Sequence, residues 1–298
     1  LAGPLAIDEG STADRIAAGI RTLMHEKDAQ GVLLGLSGGI DSSLLAALAV
    51  RAVGPQAVHA IYLYDRHSSR RLRRCARTIS NMLGLDYREQ SITAEMEAGG
   101  LYSSAGMRLT GISGWLNRTL YSIYHRFTHE TPFLSTLKAH DSASEKWFHS
   151  ILGQAENGMN ARHRYRRTVL EALADDQNWL LLGAANRSEL LVGWFVKGGV
   201  DDLPLQPLLE LYKTQVRQLA GYLKLPECVL TNRPSPDMLP GVTDESAIGL
   251  DYTTLDLILA YLQGKLGEHE MTSRSIGDDQ IEYVRKLMHY SAWKRSPP

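Results

Sequence analysis

The stretch Leu34-Gly35-Leu36-Ser37-Gly38-Gly39-Ile40-Asp41-Ser42-Ser43 gathers glycine, hydroxyl and carboxylate groups at a spacing that can do chemistry. Three chemistries compete for it. Gly35-Leu36-Ser37-Gly38-Gly39 matches the G-x-S-x-G nucleophile elbow, but a hydrolase needs earlier strands and an oxyanion loop ahead of its serine. Only one helical pattern precedes this turn and no HGGG-like segment lies upstream, so the context argues against a hydrolase. A Walker-type loop needs a lysine facing the β/γ-phosphates, and Asp41 stands in this turn instead. A carboxylate repels phosphate unless a divalent cation lies between them. The backbone N–H groups of Ser37 to Ser42, with the hydroxyls of Ser37, Ser42 and Ser43, therefore suit a pyrophosphate held through Mg²⁺ at Asp41. An ordinary capped strand-to-helix turn uses the same residue types and stays open at this point.

The elements around the turn decide what it can face. Residues 31–36 form a short apolar run that predicts a buried strand, and 42–53 is an Ala/Leu-rich helix. Residues 57–64 predict a second strand, 70–83 a helix ended by Gly84, and 86–92 a third strand. Ahead of them, 14–25 reads as an amphipathic helix with Ser11 or Thr12 as N-cap. Apolar strands alternating with helices predict an α/β fold with a mostly parallel, doubly wound sheet. Between 95 and 156 the rhythm stops, which we read as a helical insertion within a single 1–298 domain. The pattern resumes with a helix at 160–174 and a strand at 179–183. Loop chemistry follows to Pro207, then helices at 213–223, 253–266 and 279–289.

Composition excludes several classes. The 298 residues are 44% hydrophobic and 22% charged, as in ordinary globular proteins. The longest apolar stretches, such as Leu44 to Val50 and Trp179 to Ala185, fall far short of the ~20 residues of a bilayer helix, so no membrane span is expected. Thirty-two Lys+Arg against 33 Asp+Glu give a net charge of -1, so no global field recruits nucleic acid. Cys75 and Cys228 are the two cysteines, with no C-x-x-C, which points to a reducing cytoplasm and no thiolate metal site. The chain starts at Leu1 rather than Met, leaving room for residues upstream.

S-G-G-x-D-S after a strand resembles the PP-loop of the N-type ATP pyrophosphatases. Further motifs narrow the resemblance to the NAD synthetase family: Ser68-Ser69, Ala161-Arg162, Gly183-Ala184-Ala185-Asn186-Arg187-Ser188-Glu189, and Gly193-Trp194-Phe195-Val196-Lys197. Leu211-Tyr212-Lys213-Thr214, Pro234-Ser235-Pro236-Asp237, Thr243-Asp244-Glu245 and Lys294-Arg295 continue it in the family's order.

The resemblance implies a Rossmann-like sheet of the adenine nucleotide alpha hydrolase type. It also implies a ligase in NAD biosynthesis that amidates nicotinate adenine dinucleotide with ammonia and ATP, through an acyl-adenylate, releasing AMP and pyrophosphate. In that reading Asp41 and Glu189 hold Mg²⁺, and Ser37, Gly38, Gly39, Ser42, Ser43, Lys213 and Ser235 serve ATP. Arg162, Lys197, Trp293 and Lys294 lie on the dinucleotide side. A homodimer and a free or separately supplied source of ammonia are implied too. The sequence departs from the family at Ala184, Val196, Val200, Pro204 and Trp293, largely on the substrate side, where Asp201 and Asp202 could replace lost aspartates by a register shift. Two rivals follow: the same chemistry on another carboxylate, and a catalytically silent nucleotide- or RNA-binding protein.

Other features carry less. Six arginines between Arg66 and Arg77 could grip RNA as in tRNA-modifying PP-loop enzymes, but the cysteines of those relatives are absent, and a solvated helix face is the simpler reading. His125 and His129 have zinc-ligand spacing without an evident third ligand. Neither cysteine has a glutaminase setting, so both read as inert.

Overall fold

In the computed structural model, which describes residues 3–103, 119, 121, 123–124, 126–128, 130–139, 147–235 and 241–296, the turn is the hinge of a sheet. Strand β1 (Gly31–Gly35) lies between β2 (Val58–Tyr64) and β4 (Trp179–Leu182), with β3 (Asp86–Ser91) outside β2, in the order β3-β2-β1-β4. All three pairings are parallel; Val32 sits opposite both Val58 and Leu180. Strand order reverses between β1 and β4, and in open parallel sheets ligands bind outside the carboxyl ends of the strands at that switch point. The glycine turn follows β1 there.

Alternation along β1 explains the two layers. Val32 and Leu34 join a core with α1 (Glu9–Glu26), α2 (Ile40–Val53) and α8 (Lys213–Tyr222), whereas Leu33 faces the other way, with Leu170 and Ala174 of α6 (Trp147–Gln177). A strand covered on both faces must be apolar throughout, which is why the run at 31–36 carries no polar side chain before Ser37. A third core is helical. It joins Phe133 and Leu134 of α5 (Pro132–Ala139), Val192 of α7 (Arg187–Val192), Leu255 and Ile258 of α11 (Tyr252–Leu262), and Val284 of α13 (Asp278–Tyr290).

Several boundaries move. Helix α1 begins at Glu9, because Asp8 accepts from Ser11 N at 2.8 Å and so replaces Ser11 or Thr12 as N-cap. Helix α6 runs 31 residues from Trp147, so the expected insertion boundary at 156 falls inside one continuous helix. The expected loop after β4 contains α7, capped by Asn186, and α10 (Asp244–Ile248) is capped by Thr243. Apart from α4 (Thr93–Ala98), 101–103, α5 and the start of α6, the 95–156 region lies mostly outside the described residues, as do His125, His129, Pro236 and Asp237.

The arginine-rich helix α3 (Arg70–Leu83) matches its expected bounds, with Gly84 as its left-handed C-cap. Arg73 and Arg77 turn to Glu89 on the edge strand β3, Arg66 reaches Glu97, and Arg70, Arg71 and Arg74 are exposed. Hydrogen bonds, first from Arg77 and then from Arg73 and Tyr87, outweigh burial and hold the Glu89 carboxyl down at about 2. We therefore expect Glu89→Gln to lower Tm at pH 7 by about 2–4 °C. A depressed native value stabilises fully above the ordinary 4.5 and fades as pH falls toward 2, so the gap should shrink over that window. Thermal melts from pH 7 to 3 check this; a constant gap would contradict it.

Candidate active site at the sheet switch point

Gly38 opens the turn at φ +78, and a side chain there would run into the Leu72 carbonyl of α3. Glycine alone lets the loop pass this close. The hydroxyls of Ser37 and Ser42 lie 3.0 Å apart, and Gly39 N donates to Ser37 Oγ at 3.3 Å, which folds the loop over the first turn of α2. Asp41 sits in that first turn.

The opposing wall comes from β4. After Leu182 the chain reaches Asn186, whose Oδ1 accepts from Glu189 N at 3.0 Å and starts α7. The same side chain donates through Nδ2 to Asp41 Oδ1 at 2.9 Å. One fully buried asparagine thus ties the two carboxylate-bearing helices together. Between the carboxylates lies Lys213, 1% exposed, with Nζ 2.5 Å from Asp41 Oδ2 and 2.8 Å from Glu189 Oε1. Behind them the Tyr252 hydroxyl lies 3.3 Å from both Glu189 Oε1 and Asp244 Oδ2.

The electrostatics of this knot are unbalanced. Among the described residues, Asp41, Glu189 and Asp244 all face the Lys213 ammonium. Burial, and then the charges of Asp41 and Asp244, outweigh Lys213 and push the Glu189 carboxyl up to about 8. Asp244 rises to about 6, mainly by burial and with Asp41 adding to it, although Trp194 and Tyr252 donate to it. Lys213 is buried, yet the same carboxylates hold its ammonium above its ordinary value. An excess of negative charge beside a glycine turn is what a divalent cation shared with phosphates would neutralise.

A cavity of about 330 Å³ opens over the knot, lined by Ser37, Gly39, Asp41, Ser42, Glu189, Lys213, Asp244, Ser235 and Lys294 among others. Its far wall is the face of α6 that carries Met159, His163, Arg166 and Leu170. Asp201 also lines it, with Oδ2 3.1 Å from His163 Nδ1. Burial alone would raise Asp201, but His163 and then Arg166 hold it below its ordinary range. Asp202 instead accepts from Gly198 N at 2.8 Å and closes its own loop.

Some expected site residues sit elsewhere. Arg162 is fully buried and turned to Asp65, with Nη1 3.0 Å from Oδ2, so the cavity meets its helix neighbours His163 and Arg166. Lys197 Nζ donates to the Trp293 and Ser296 carbonyls at 3.1 and 2.7 Å, and neither Lys197 nor Trp293 is among the lining residues. Lys294 does line the cavity, but its Nζ donates to Gly193 O and Phe195 O at 2.8 and 2.7 Å. Gly38 faces α3, and Ser43, one residue past Ser42, is rotated into the core. Asn186, Asp244 and Tyr252 join the site without a role implied by the sequence. The spacing Asn186-x-x-Glu189 could have flagged the first as a cap; Tyr252 left no signal in its apolar helix.

The NAD synthase family model matches residues 12–106 and 132–298, two blocks that between them hold every residue of the knot. The chain belongs to the NAD synthase family. The ammonia-dependent NAD(+) synthetase of Coprothermobacter proteolyticus is 33% identical over 92% of this chain and 94% of its own length. That of Thermotoga maritima is 32% identical over 91% and 92%. Two solved structures share the NAD synthase fold over 98% of both chains at 24% identity: an NMN synthetase from Francisella tularensis (TM-score 0.71) and an ammonia-dependent NAD synthetase from Campylobacter jejuni (TM-score 0.67). Within this NAD synthase chain, Ala184, Val196 and Val200 line the cavity, whereas Pro204 does not.

Proposed function

We propose that this protein amidates nicotinate adenine dinucleotide with ammonia and ATP, yielding NAD, AMP and pyrophosphate. One observation carries the reading: Lys213 pinned between Asp41 and Glu189, beside the glycine turn, at the carboxyl ends of β1 and β4. The turn's N–H groups and the Ser37 and Ser42 hydroxyls offer donors to the phosphates of ATP. The substrate carboxylate attacks the α-phosphorus, pyrophosphate leaves, and ammonia displaces AMP from the acyl-adenylate. Catalysis of this kind is positioning plus charge neutralisation, and Lys213 supplies a fixed cation where negative charge builds on the leaving group. Asp41 and Glu189 are the residues that would hold Mg²⁺, which takes one or two carboxylates together with substrate phosphates. When bound, the ion supplies further neutralisation of phosphate charge.

A second reading keeps this chemistry and changes the acceptor carboxylate, because Ala184 and Val200 put apolar groups on the cavity wall. No described helix is long and apolar enough to cross a membrane; the proposal is completed by a cytoplasmic homodimer of one domain over 1–298, with an insertion that begins near 95 and ends ahead of α6. Neither Cys75 nor Cys228 lines the cavity, so ammonium salts should support pyrophosphate release and amide formation whereas glutamine should not. Glutamine-driven turnover by the purified chain would contradict this.

A further inference from the structure

We propose that Asp256 is a positioning residue that holds Lys213 and Glu189 in one register; the inference rests on the reading of those two residues as site groups. Asp256 is fully buried on α11, between Leu255 and Leu257 and beside Ile258 and Leu259, where a carboxylate is costly unless hydrogen-bonded. Its two oxygens are spent on two different elements. Ser188 Oγ, next to Glu189 in α7, donates to Oδ1 at 2.5 Å, and Thr214 N, next to Lys213 in α8, donates to Oδ2 at 2.7 Å. Ser188 Oγ in turn accepts from Lys213 N at 2.8 Å.

The consequence is a closed loop of contacts. The first two N–H groups of α8 have no partner inside their own helix, and Asp256 and Ser188 take them both. Glu189 and Lys213 then meet side chain to side chain at 2.8 Å, each one residue along from a group that Asp256 holds, the Ser188 hydroxyl and the Thr214 N–H. Asp256 is not among the residues lining the cavity, so it touches no substrate there and acts through its neighbours. An ordinary helix cap would stabilise α8 alone. This carboxylate fixes the start of α8 against the start of α7, which is the geometry the ion pair needs.

Asp256→Asn keeps the volume but removes the charge and one acceptor: an amide turned to Thr214 N meets a second donor, and one turned to Ser188 makes its hydroxyl accept where it had donated to a carboxylate. We expect kcat to fall ~10- to 100-fold, measured well below the variant's Tm, because small misplacements of catalytic groups cost about that much. KM for the acceptor should stay within about twofold, Ser188→Ala should move kcat the same way, and the double variant should be no slower than the slower single one. The crystal structure of Asp256→Asn should show Lys213 Nζ displaced from Glu189. A lowered Tm with kcat within twofold of the parent, or an unchanged Lys213–Glu189 contact, would overturn the proposal. If Asp256→Asn does not fold, Ser188→Ala decides by the same two readouts. Absence of turnover in the parent protein would count against the proposed function instead, and the crystallographic distance would still judge Asp256.

Discussion

Lys213→Met should abolish turnover and destabilise the fold by about 3–5 kcal/mol, the usual consequence of removing one partner from a buried ion pair. Methionine keeps most of the length and none of the charge. Asp41, Glu189 and Asp244 would then face one another without Lys213, in a site where burial, and after it the charge of neighbouring carboxylates, already lifts Glu189 and Asp244. The penalty should ease as pH falls, since protonating the carboxylates removes the repulsion. Urea midpoints at pH 8 and pH 6, with pyrophosphate release on the same samples, measure both effects. A variant with the parent's midpoint and near-parental turnover would mean that Lys213 is not the central cation.

Glu189→Gln should separate activity from stability in the other direction. Burial, and after it the charges of Asp41 and Asp244, push the Glu189 carboxyl up, so a neutral group there costs the free protein little. Glutamine imitates that neutral form, and Tm should change little. Turnover should still fall ~10³-fold, because the ionised carboxylate is what the phosphate-bound cation requires. Asp41→Asn should lose activity to a similar degree, as it removes the charge that Lys213 meets at 2.5 Å. Matched thermal melts and pyrophosphate assays check both; retained release in either variant would break the assignment of these carboxylates.

The frame of this protein was legible because its strands are short apolar runs and its turn is punctuated by glycine. β1, α3 and β4 sit within a residue of their expected bounds, and Gly84 ends α3 as expected. Short helices were not legible: α7 and α10 owe their existence to the caps Asn186 and Thr243 and to packing against α11 and α5. Their sequences alone carry too few turns to show a period. In the site, Asp41, Glu189 and Lys213, drawn from three separate motifs, meet within hydrogen-bond distance. Arg162 and Lys197 illustrate the limit, since a basic side chain in sequence does not reveal whether its partner will be a ligand, an aspartate at the end of β2, or carbonyls at the C-terminus. Asp256 was hidden for the opposite reason: one acid within an apolar helix reads as a solvent-facing position until the helix is found buried on that side.

The most direct test of the account is the acceptor. The purified protein, ATP, Mg²⁺ and an ammonium salt are incubated with nicotinate adenine dinucleotide or with a panel of other carboxylic acids, and AMP and amide are scored by mass. The account predicts NAD and AMP in equal amounts from the dinucleotide, faster than amide forms from any other acid. Slow or absent turnover of the dinucleotide beside fast turnover of another acid would contradict it.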